Sequence, residues 1–255
     1  MRQTKNDTKI ELNKVYNESC LETLKKMKDG SVDAVITSPP YNMNLRIRNG
    51  KYCSRQIVKE LSTKYSNFDD NLPIDEYYDL HLNILKELLR VSDMVFYNIQ
   101  IVTGSKRAIF KIIGELSDYL KDIVIWDKGY GQPAMAERVM NRRTELVLIF
   151  DKNNAISRQF EKCNFNRGTL DDLWLIKRGK KVSSEHGAVF PEELVSTILD
   201  NFTNEGDVIY DPFMGTGSTA VVCKKLKRKF IGSEISKEYM KVINERLKGV
   251  TETLF

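Results

Sequence analysis

The feature that most restricts the fold of this chain is the alternation along the sequence of two patterns of apolar residues. Residues 74–91 carry apolar side chains at about every third or fourth position, whereas residues 94–99 form a short, almost wholly apolar run. The first spacing is typical of an amphipathic helix and the second of a buried strand. Because the two patterns alternate through most of the sequence, we predict an α/β fold with a mostly parallel sheet and helices on both faces.

The same patterns give boundaries for the individual elements. We predict helices over 19–28, 74–91, 103–120, 191–201, 218–226 and 237–247, and strands over 32–36, 94–99, 123–126, 145–150, 208–210 and 230–232. Residues 42–70 are polar and show little periodicity, which predicts a long loop or insertion. Since no internal repeat or clear linker is present, the 255 residues suit one domain.

Composition and residue spacing exclude several classes of protein. There is no apolar run of about 18 residues and no secretory signal in the first ten residues, so we expect a cytoplasmic protein with no membrane partner. The four cysteines and two histidines are too widely spaced for a zinc motif, so no metal is expected. A formal net charge of +5 permits nucleic acid as a partner without requiring it.

A glycine-rich turn follows the strand predicted at 208–210. The sequence from Asp211 reads Asp-Pro-Phe-Met-Gly-Thr-Gly and opens a predicted helix, while Glu234 ends the next predicted strand. Gly215 and Gly217 let a ligand approach the backbone, and the N–H groups of a helix start attract acceptor groups. An acid at the end of the following strand can bind both hydroxyls of a ribose. This order predicts a nucleoside cofactor, and an ordinary tight turn with a solvated acid is the alternative.

A second motif, Ser38-Pro39-Pro40-Tyr41, follows the strand predicted at 32–36. Consecutive prolines stiffen the backbone and remove two N–H donors, which leaves carbonyl groups free to accept hydrogen bonds. With the Ser38 hydroxyl, such a loop can accept both hydrogens of a planar NH2 group, and the ring of Tyr41 offers a face on which a heterocycle can stack. The alternative is a plain proline stop after a strand.

Together the two motifs resemble those of the S-adenosylmethionine-dependent DNA methyltransferases that modify exocyclic amino groups, adenine N6 or cytosine N4. That family combines a (D/N/S)PP(Y/F) catalytic loop with a DPFxGxG cofactor loop, and residues 38–41 and 211–217 match them. The catalytic loop comes first along this chain, as in the beta class of the family. The resemblance implies a Rossmann-like fold and S-adenosyl-L-methionine as the cofactor.

The resemblance also assigns parts of the chain. The single domain, 1–255, divides into a catalytic-loop half (1–150), a variable polar segment (151–185) and a cofactor-loop half (186–255). Catalysis is assigned to Ser38, Pro39, Pro40 and Tyr41. Cofactor binding is assigned to Ser19, Cys20, Asp211, Phe213, Gly215, Thr216, Gly217, Ser218 and Glu234. At Ser19 the family usually has an aspartate that contacts the cofactor adenine, so this chain departs from the pattern there.

The implied reaction moves a methyl group from a sulfonium to the amino nitrogen of a flipped base, without a covalent enzyme intermediate. A serine before the two prolines is most frequent in cytosine-N4 enzymes, which favours that target. Asn42 after Tyr41 is common among adenine enzymes, so adenine N6 is the close alternative. Two further alternatives are a methyltransferase acting on a protein glutamine or an RNA amine, and a catalytically inactive DNA-binding subunit.

Basic residues on polar segments are candidate contacts to double-stranded DNA. We predict that residues 44–70 are a DNA-contacting insertion, with a solvated loop as the alternative. The candidate contacts are Arg46, Arg48, Lys51, Arg55, Arg142 and Arg143. The resemblance to enzymes of restriction-modification systems adds two candidate partners, a restriction endonuclease acting separately and a second copy of this chain in a homodimer.

Overall fold

The structure, a computed structural model, describes residues 10–43, 45–48, 51–54, 70–132, 137–179 and 189–250. Within them the helices are α1 (Cys20–Lys26), α2 (Ile74–Val91), α3 (Lys106–Glu115), α4 (Glu192–Phe202), α5 (Ser218–Lys225) and α6 (Lys237–Lys248). The strands are β1 (Lys14–Tyr16), β2 (Ala34–Thr37), β3 (Leu45–Arg48), β4 (Lys51–Ser54), β5 (Met94–Ile99), β6 (Leu120–Gln132), β7 (Arg142–Asp151), β8 (Leu173–Leu175), β9 (Val208–Asp211) and β10 (Lys229–Ser233).

One large sheet forms the centre of the molecule. Its strands lie in the order β1, β10, β9, β2, β5, β7, β6 and β8, while β3 and β4 pair in a separate antiparallel hairpin. Strand β7 is antiparallel to both of its neighbours, and the other pairings of the large sheet are parallel. The predicted mostly parallel sheet is therefore confirmed.

Helices cover both faces of this sheet, as predicted. Val35 packs on one face with residues of α1, α2 and α3, such as Leu88. Its neighbour Ile36 packs on the other face with residues of α4, α5 and α6, such as Ile198. Successive strand residues point to opposite faces, so one strand contributes to two cores. Each fully buried side chain of this size contributes about 1.5–3 kcal/mol to folding, which makes the central strands a firm support for the loops that follow them.

The predicted boundaries are wrong around α3 and β6. The predicted helix 103–120 is shorter, because Gly114 weakens its end and the chain turns after Leu116 to begin β6 at Leu120. Strand β6 continues beyond its predicted end at 126, since Asp127 pairs with Thr144 of β7 although the residues there are no longer apolar. Hydrophobic periodicity cannot detect a strand that runs out of the core into solvent.

Short elements were also missed. Strands β1 and β8 lie at the two edges of the large sheet and have three residues each, too few to give a periodic pattern. Residues 42–70, predicted as a loop or insertion, contain the β3–β4 hairpin, and residues 55–69 lie outside the described part of the chain. The proposed division of the domain into two halves and a polar segment stays a prediction. In the described residues, no helix combines the length and apolarity needed to cross a membrane.

Candidate active site

The carboxyl ends of β2 and β9 lie side by side near the middle of the sheet. From β2 the chain continues to β5 on one side, and from β9 it continues to β10 on the other, so the strand order reverses between them. Open α/β sheets bind ligands at such a reversal. Ser38 directly follows β2 and Phe213 closely follows β9. The structure therefore brings the two predicted loops together at the position where such sheets form a ligand-binding crevice.

A buried aspartate joins the two loops. Asp211, the last residue of β9, accepts hydrogen bonds from the hydroxyl of Thr37 at 2.7 Å and from that of Thr219 in α5 at 2.6 Å. It also accepts the backbone N–H of Phe213 at 3.0 Å. Burial raises the pKa of Asp211 to about 6, and these three donors oppose the rise. Asp211 thus fixes the end of β2 relative to the start of α5.

Two glycines shape the turn that opens α5. Gly215 has a φ of +53° and Gly217 a φ of +86°, a region that other L-residues rarely adopt. A Cβ at Gly217 would also lie 3.0 Å from Cγ1 of Ile243. Both positions therefore need glycine because of their backbone conformation. Gly217 needs it also because a side chain would not fit beside Ile243. Its other predicted cofactor residues, Thr216 and Ser218, are buried beside these glycines.

Glu234 closes this turn from the end of β10. Its Oε2 accepts the N–H of Gly215 and its Oε1 accepts the N–H of Ser236, both at 2.8 Å. None of the ion pairs among the described residues includes Glu234, and burial raises its pKa to about 7. A carboxylate has about four acceptor positions, so these two bonds do not exhaust its capacity to accept hydrogen bonds. These residues fit a nucleoside whose ribose hydroxyls donate to Glu234.

The segment between β1 and α1 lies against the same strand end. The carbonyl of Tyr16 accepts the N–H of Glu234 at 3.0 Å, and the side-chain amide of Asn17 donates to the Glu234 carbonyl at 2.7 Å. Ser19 is the N-cap of α1, and its hydroxyl accepts an N–H of the first helical turn at 3.3 Å. Cys20 is buried, which raises its pKa to about 11. The predicted cofactor contacts of Ser19 and Cys20 stay predictions, with Ser19 already engaged as a cap.

The catalytic loop is anchored just beyond its motif. Asn42 adopts a left-handed conformation with a φ of +57°, and its side-chain amide donates to the carbonyls of Leu72 and Gly104, both at 2.9 Å. Its backbone N–H donates to the carboxylate of Asp70 at 2.6 Å. Asn42 is fully buried. It therefore holds the shape of the loop from the protein interior.

The two prolines of the loop differ in their carbonyl groups. The hydroxyl of Tyr77, which is buried in α2, donates to the carbonyl of Pro40 at 2.8 Å. In the described part of the chain, no donor contacts the carbonyl of Pro39. Of the predicted catalytic prolines, Pro39 therefore retains the free acceptor.

A hydrogen-bonded cluster lies behind Ser38. Ser38 Oγ is 2.7 Å from the hydroxyl oxygen of Tyr41, and that hydroxyl donates to Glu145 Oε2 at 2.8 Å. The side-chain amide of Asn98 donates to Tyr41 at 2.6 Å, to Glu145 Oε2 at 2.8 Å and to Ser38 at 3.3 Å. Asn98 and Glu145 are buried, so these bonds form in a medium where electrostatic interactions are strong.

An ion pair completes the cluster on the side away from Ser38. The ammonium of Lys128 donates to Glu145 Oε1 at 2.9 Å, and both side chains are buried. Burial lowers the pKa of Lys128, and the charge of Glu145 opposes that shift. Asn98, Lys128 and Glu145 come from the neighbouring strands β5, β6 and β7. We call Ser38, Tyr41, Asn98, Lys128 and Glu145 the catalytic-loop network.

The predicted DNA contacts lie on two hairpins. Arg46, Arg48 and Lys51 lie on β3 and β4, where Arg48 is directly opposite Lys51, and Arg55 lies outside the described residues. Arg142 begins β7, and its neighbour Arg143 forms a bidentate pair with Asp127 of β6 at 2.5 and 2.6 Å. In the described residues, no three His, Cys, Asp or Glu side chains are grouped as metal ligands would be.

A sequence profile of the N6_N4_Mtase family, described as DNA methylase, matches residues 32–245 of this chain. The chain belongs to this family. The orphan methyltransferase M.BamHII of Bacillus amyloliquefaciens is 44% identical to it over 257 residues, covering 87% of this chain and 90% of that protein. The type II methyltransferase M2.DpnII of Streptococcus pneumoniae is 30% identical over 242 residues, covering 90% and 87%.

Solved structures share the fold of this chain. The PvuII DNA methyltransferase (cytosine-N4-specific) superposes with a TM-score of 0.70 at 17% identity, covering 95% of this chain and 89% of that one. The M1.HpyAVI–SAM complex superposes with a TM-score of 0.61 at 25% identity, covering 92% and 98%. The predicted amino-methyltransferase family, Rossmann-like fold and S-adenosyl-L-methionine cofactor are thereby confirmed. The endonuclease partner and the homodimer stay predictions.

The sequence patterns did not assign a role to Asn98, Lys128 or Glu145. A signal was nevertheless present, because Asn98 and Glu145 lie within the apolar runs 94–99 and 145–150, and Lys128 lies two positions after the run 123–126. A polar side chain inside a buried strand requires a hydrogen-bond partner. The identity of that partner depends on which strands are neighbours, which periodicity does not provide.

Proposed function

We propose that this DNA amino-methyltransferase methylates N4 of a cytosine flipped out of double-stranded DNA, with S-adenosyl-L-methionine as the donor. The observation that carries the proposal is the shared crevice, where the 2.7 Å bond between Thr37 and Asp211 ties the Ser38 loop to the cofactor loop. The target nitrogen lies inside a duplex, so the base must leave the stack to reach this crevice.

The loop supplies acceptors for the target amine. An exocyclic amine is a poor nucleophile because its lone pair is delocalised into the ring. Ser38 Oγ and the carbonyl of Pro39 are the acceptors that we assign to its two hydrogens. Accepting them localises the lone pair on nitrogen, an effect of preorganised dipoles that requires no titration of either group. The bound cofactor supplies the electrophilic methyl group.

Tyr41 is the proposed stacking partner of the flipped base. Its hydroxyl is held by Asn98 and Glu145 at 2.6 and 2.8 Å, which restricts rotation of the ring. A ring fixed at one end can present its face to a planar heterocycle at little further entropic cost. The ring and the two acceptors belong to the same rigid loop, so base stacking and amine binding act together.

Two observations support cytosine N4 over adenine N6. The residue before the prolines is Ser38, as in most cytosine-N4 enzymes that the motif resembles. Asn42, which favoured adenine on the sequence, is buried and bonded to Leu72 and Gly104. Its presence is therefore explained by the left-handed turn rather than by the target base.

The proposal is tested by methylating unmethylated genomic DNA with the purified protein and identifying the modified nucleoside by mass spectrometry. We expect N4-methylcytosine. N6-methyladenine would transfer the assignment to the alternative target. DNA binding without binding of S-adenosylmethionine in calorimetry would instead favour the inactive-subunit alternative.

Cofactor affinity should depend on pH through Glu234. Its pKa is raised to about 7 by burial, and the ionised carboxylate is the better acceptor for ribose hydroxyls. We expect affinity to rise about tenfold between about pH 6 and 8, by calorimetry, as the carboxylate becomes ionised. The Glu234→Gln variant should bind the cofactor more weakly, and its affinity should no longer rise between about pH 6 and 8. If the variant kept the pH dependence of the wild type, Glu234 would not be the group responsible for it. The raised pKa also makes the stability of the protein depend on pH. The folded state favours the protonated carboxyl of Glu234, so this stabilising contribution is fully present below about pH 4.5 and is lost as pH rises through about 7.

The β3–β4 segment should contribute to the salt dependence of DNA binding. Replacing Arg46, Arg48 and Arg55 by glutamine should reduce the slope of log K against log salt by up to about 3, because each phosphate contact contributes about 0.9. The measurement is fluorescence anisotropy with a labelled duplex over a range of salt concentrations.

A matched control removes three positive charges from the side of the sheet where β10 begins, away from the loops that follow β2 and β9. Lys225, Lys227 and Lys229 lie where α5 returns to β10, and two of them pair with Glu192 and Glu205. Their replacement by glutamine should leave the slope unchanged. Equal slopes in the wild type and the arginine variant would identify the segment as a solvated loop.

A further inference from the structure

The hydrogen bonds of the catalytic-loop network have a fixed donor-to-acceptor direction. Glu145 Oε2 accepts from the hydroxyl of Tyr41 at 2.8 Å and from the amide of Asn98 at 2.8 Å, while Oε1 accepts from Lys128 at 2.9 Å. A carboxylate paired with an ammonium has no hydrogen to donate. The single hydrogen of the Tyr41 hydroxyl must therefore point toward Glu145.

This constraint passes to Ser38. Because Tyr41 gives its hydrogen to Glu145, it can only accept in its 2.7 Å bond with Ser38, so Ser38 is the donor there. Asn98 occupies another acceptor position of Tyr41 and donates weakly to Ser38 at 3.3 Å. With its own hydrogen committed to Tyr41, Ser38 presents lone pairs and no hydrogen to the crevice.

We propose that Glu145 is a positioning residue that sets the polarity of the Ser38–Tyr41 hydrogen bond and thereby makes Ser38 an acceptor for the target amine. This inference rests on the proposed function and deepens it. A serine hydroxyl in isolation can donate or accept, and a donating Ser38 would bind the amine lone pair that must attack the methyl group. Glu145 is separated from the substrate by a chain of three hydrogen bonds, through Tyr41 and Ser38. It nevertheless excludes the orientation in which the Ser38 hydroxyl donates to the amine.

Lys128 and Asn98 keep Glu145 in this role. Lys128 neutralises a buried charge that would otherwise be costly, and its bond to Oε1 leaves Oε2 for Tyr41 and Asn98. The amide of Asn98 cannot turn over, because its carbonyl oxygen would then face the carboxylate. The direction of the Ser38–Tyr41 hydrogen bond is therefore fixed by residues of three adjacent strands, Asn98 of β5, Lys128 of β6 and Glu145 of β7.

The test replaces the ion pair by a neutral pair, in the double variant Glu145→Gln with Lys128→Met. A glutamine at this position can donate to Tyr41 and so permits the reversed chain, while removal of the lysine avoids an unpaired buried charge. We expect a thermal melting temperature close to that of the wild type and unchanged dissociation constants for cofactor and DNA. We expect the single-turnover rate of methyl transfer to fall about 100-fold.

A second variant, Tyr41→Phe, tests the same chain without touching the ion pair. It keeps the ring but removes the acceptor of the Ser38 hydrogen, so the rate should fall by a comparable factor. Residues that act through one chain give non-additive losses, so Tyr41→Phe within the double variant should cost little more. Losses that multiply in full would overturn the proposal.

A control pair lies on the same two strands. Lys121 and Asp151 approach to 3.9 Å at the opposite end of β6 and β7, and both are buried. Lys121→Met with Asp151→Asn should leave the rate constant of transfer unchanged. A wild-type rate in the Glu145→Gln, Lys128→Met variant would reduce Glu145 to a structural residue while the proposed function stands. If the wild type methylates no base, the proposed function itself fails.

Discussion

Replacing Ser38 by alanine should lower the rate of methyl transfer about 100- to 1000-fold, because the amine loses one of two preorganised acceptors. Cofactor affinity should be unchanged, since the residues that close the cofactor turn, Gly215 and Glu234, bond to each other and not to Ser38. The measurement is single-turnover transfer of a labelled methyl group to a duplex, with cofactor binding followed separately by calorimetry.

A serine on the protein surface provides the control. Ser196 in α4 donates to the carbonyl of Glu193 at 3.0 Å, within its own helix. Ser196→Ala should transfer methyl groups at the wild-type rate. Wild-type activity in Ser38→Ala would remove the catalytic assignment of the Ser-Pro-Pro-Tyr motif, and loss of cofactor binding in that variant would indicate a disturbed crevice instead.

Replacing Asp211 by alanine should destabilise the protein by about 2–4 kcal/mol and abolish cofactor binding. The change leaves the hydroxyls of Thr37 and Thr219 and the N–H of Phe213 without their acceptor in the interior. Part of that cost is offset, because burial of the carboxylate is itself unfavourable and raises its pKa to about 6. Urea unfolding measures the difference in free energy.

The Asp211→Asn variant distinguishes the effect of the side-chain shape from the effect of its negative charge. Its carbonyl oxygen can replace Oδ1 and accept from Thr37 and Phe213, and its NH2 group can donate to Thr219, whose hydroxyl is able to accept. We therefore expect Asp211→Asn to be the milder variant. Asp207→Ala, at the solvent-exposed approach to β9, should cost less than about 1 kcal/mol. An Asp211→Ala protein as stable as this control would show that the link between the loops is dispensable.

The meeting of the two loops was predictable because each follows a strand of a parallel sheet. The carboxyl ends of parallel strands share one edge, so residues after β2 and β9 had to lie on the same side of the molecule. The two strands are immediate neighbours, with Val35 opposite Tyr210. That adjacency is a property of the folded sheet, and no local pattern encodes it.

The catalytic-loop network illustrates what local patterns miss. Glu145 is separated from Tyr41 by 104 positions and Asn98 by 57, and their contact depends on β7 inserting between β5 and β6. The antiparallel direction of β7 brings its first residues to the carboxyl edge, where Ser38 lies. An alternation of helices and strands predicts a parallel neighbour there and would place Glu145 at the opposite edge.

The bond between Thr37 and Asp211 joins residues 174 positions apart, so the reaction centre is an assembly of distant segments. This bond requires β2 and β9 to be neighbours in the sheet, and it does not require either segment to come first along the chain. A rearranged gene that encodes β9, α5 and β10 ahead of β2 would build the same centre, provided that β9 and β2 remain neighbours in the sheet. Evolution is thus free to permute the polypeptide while the chemistry stays in place.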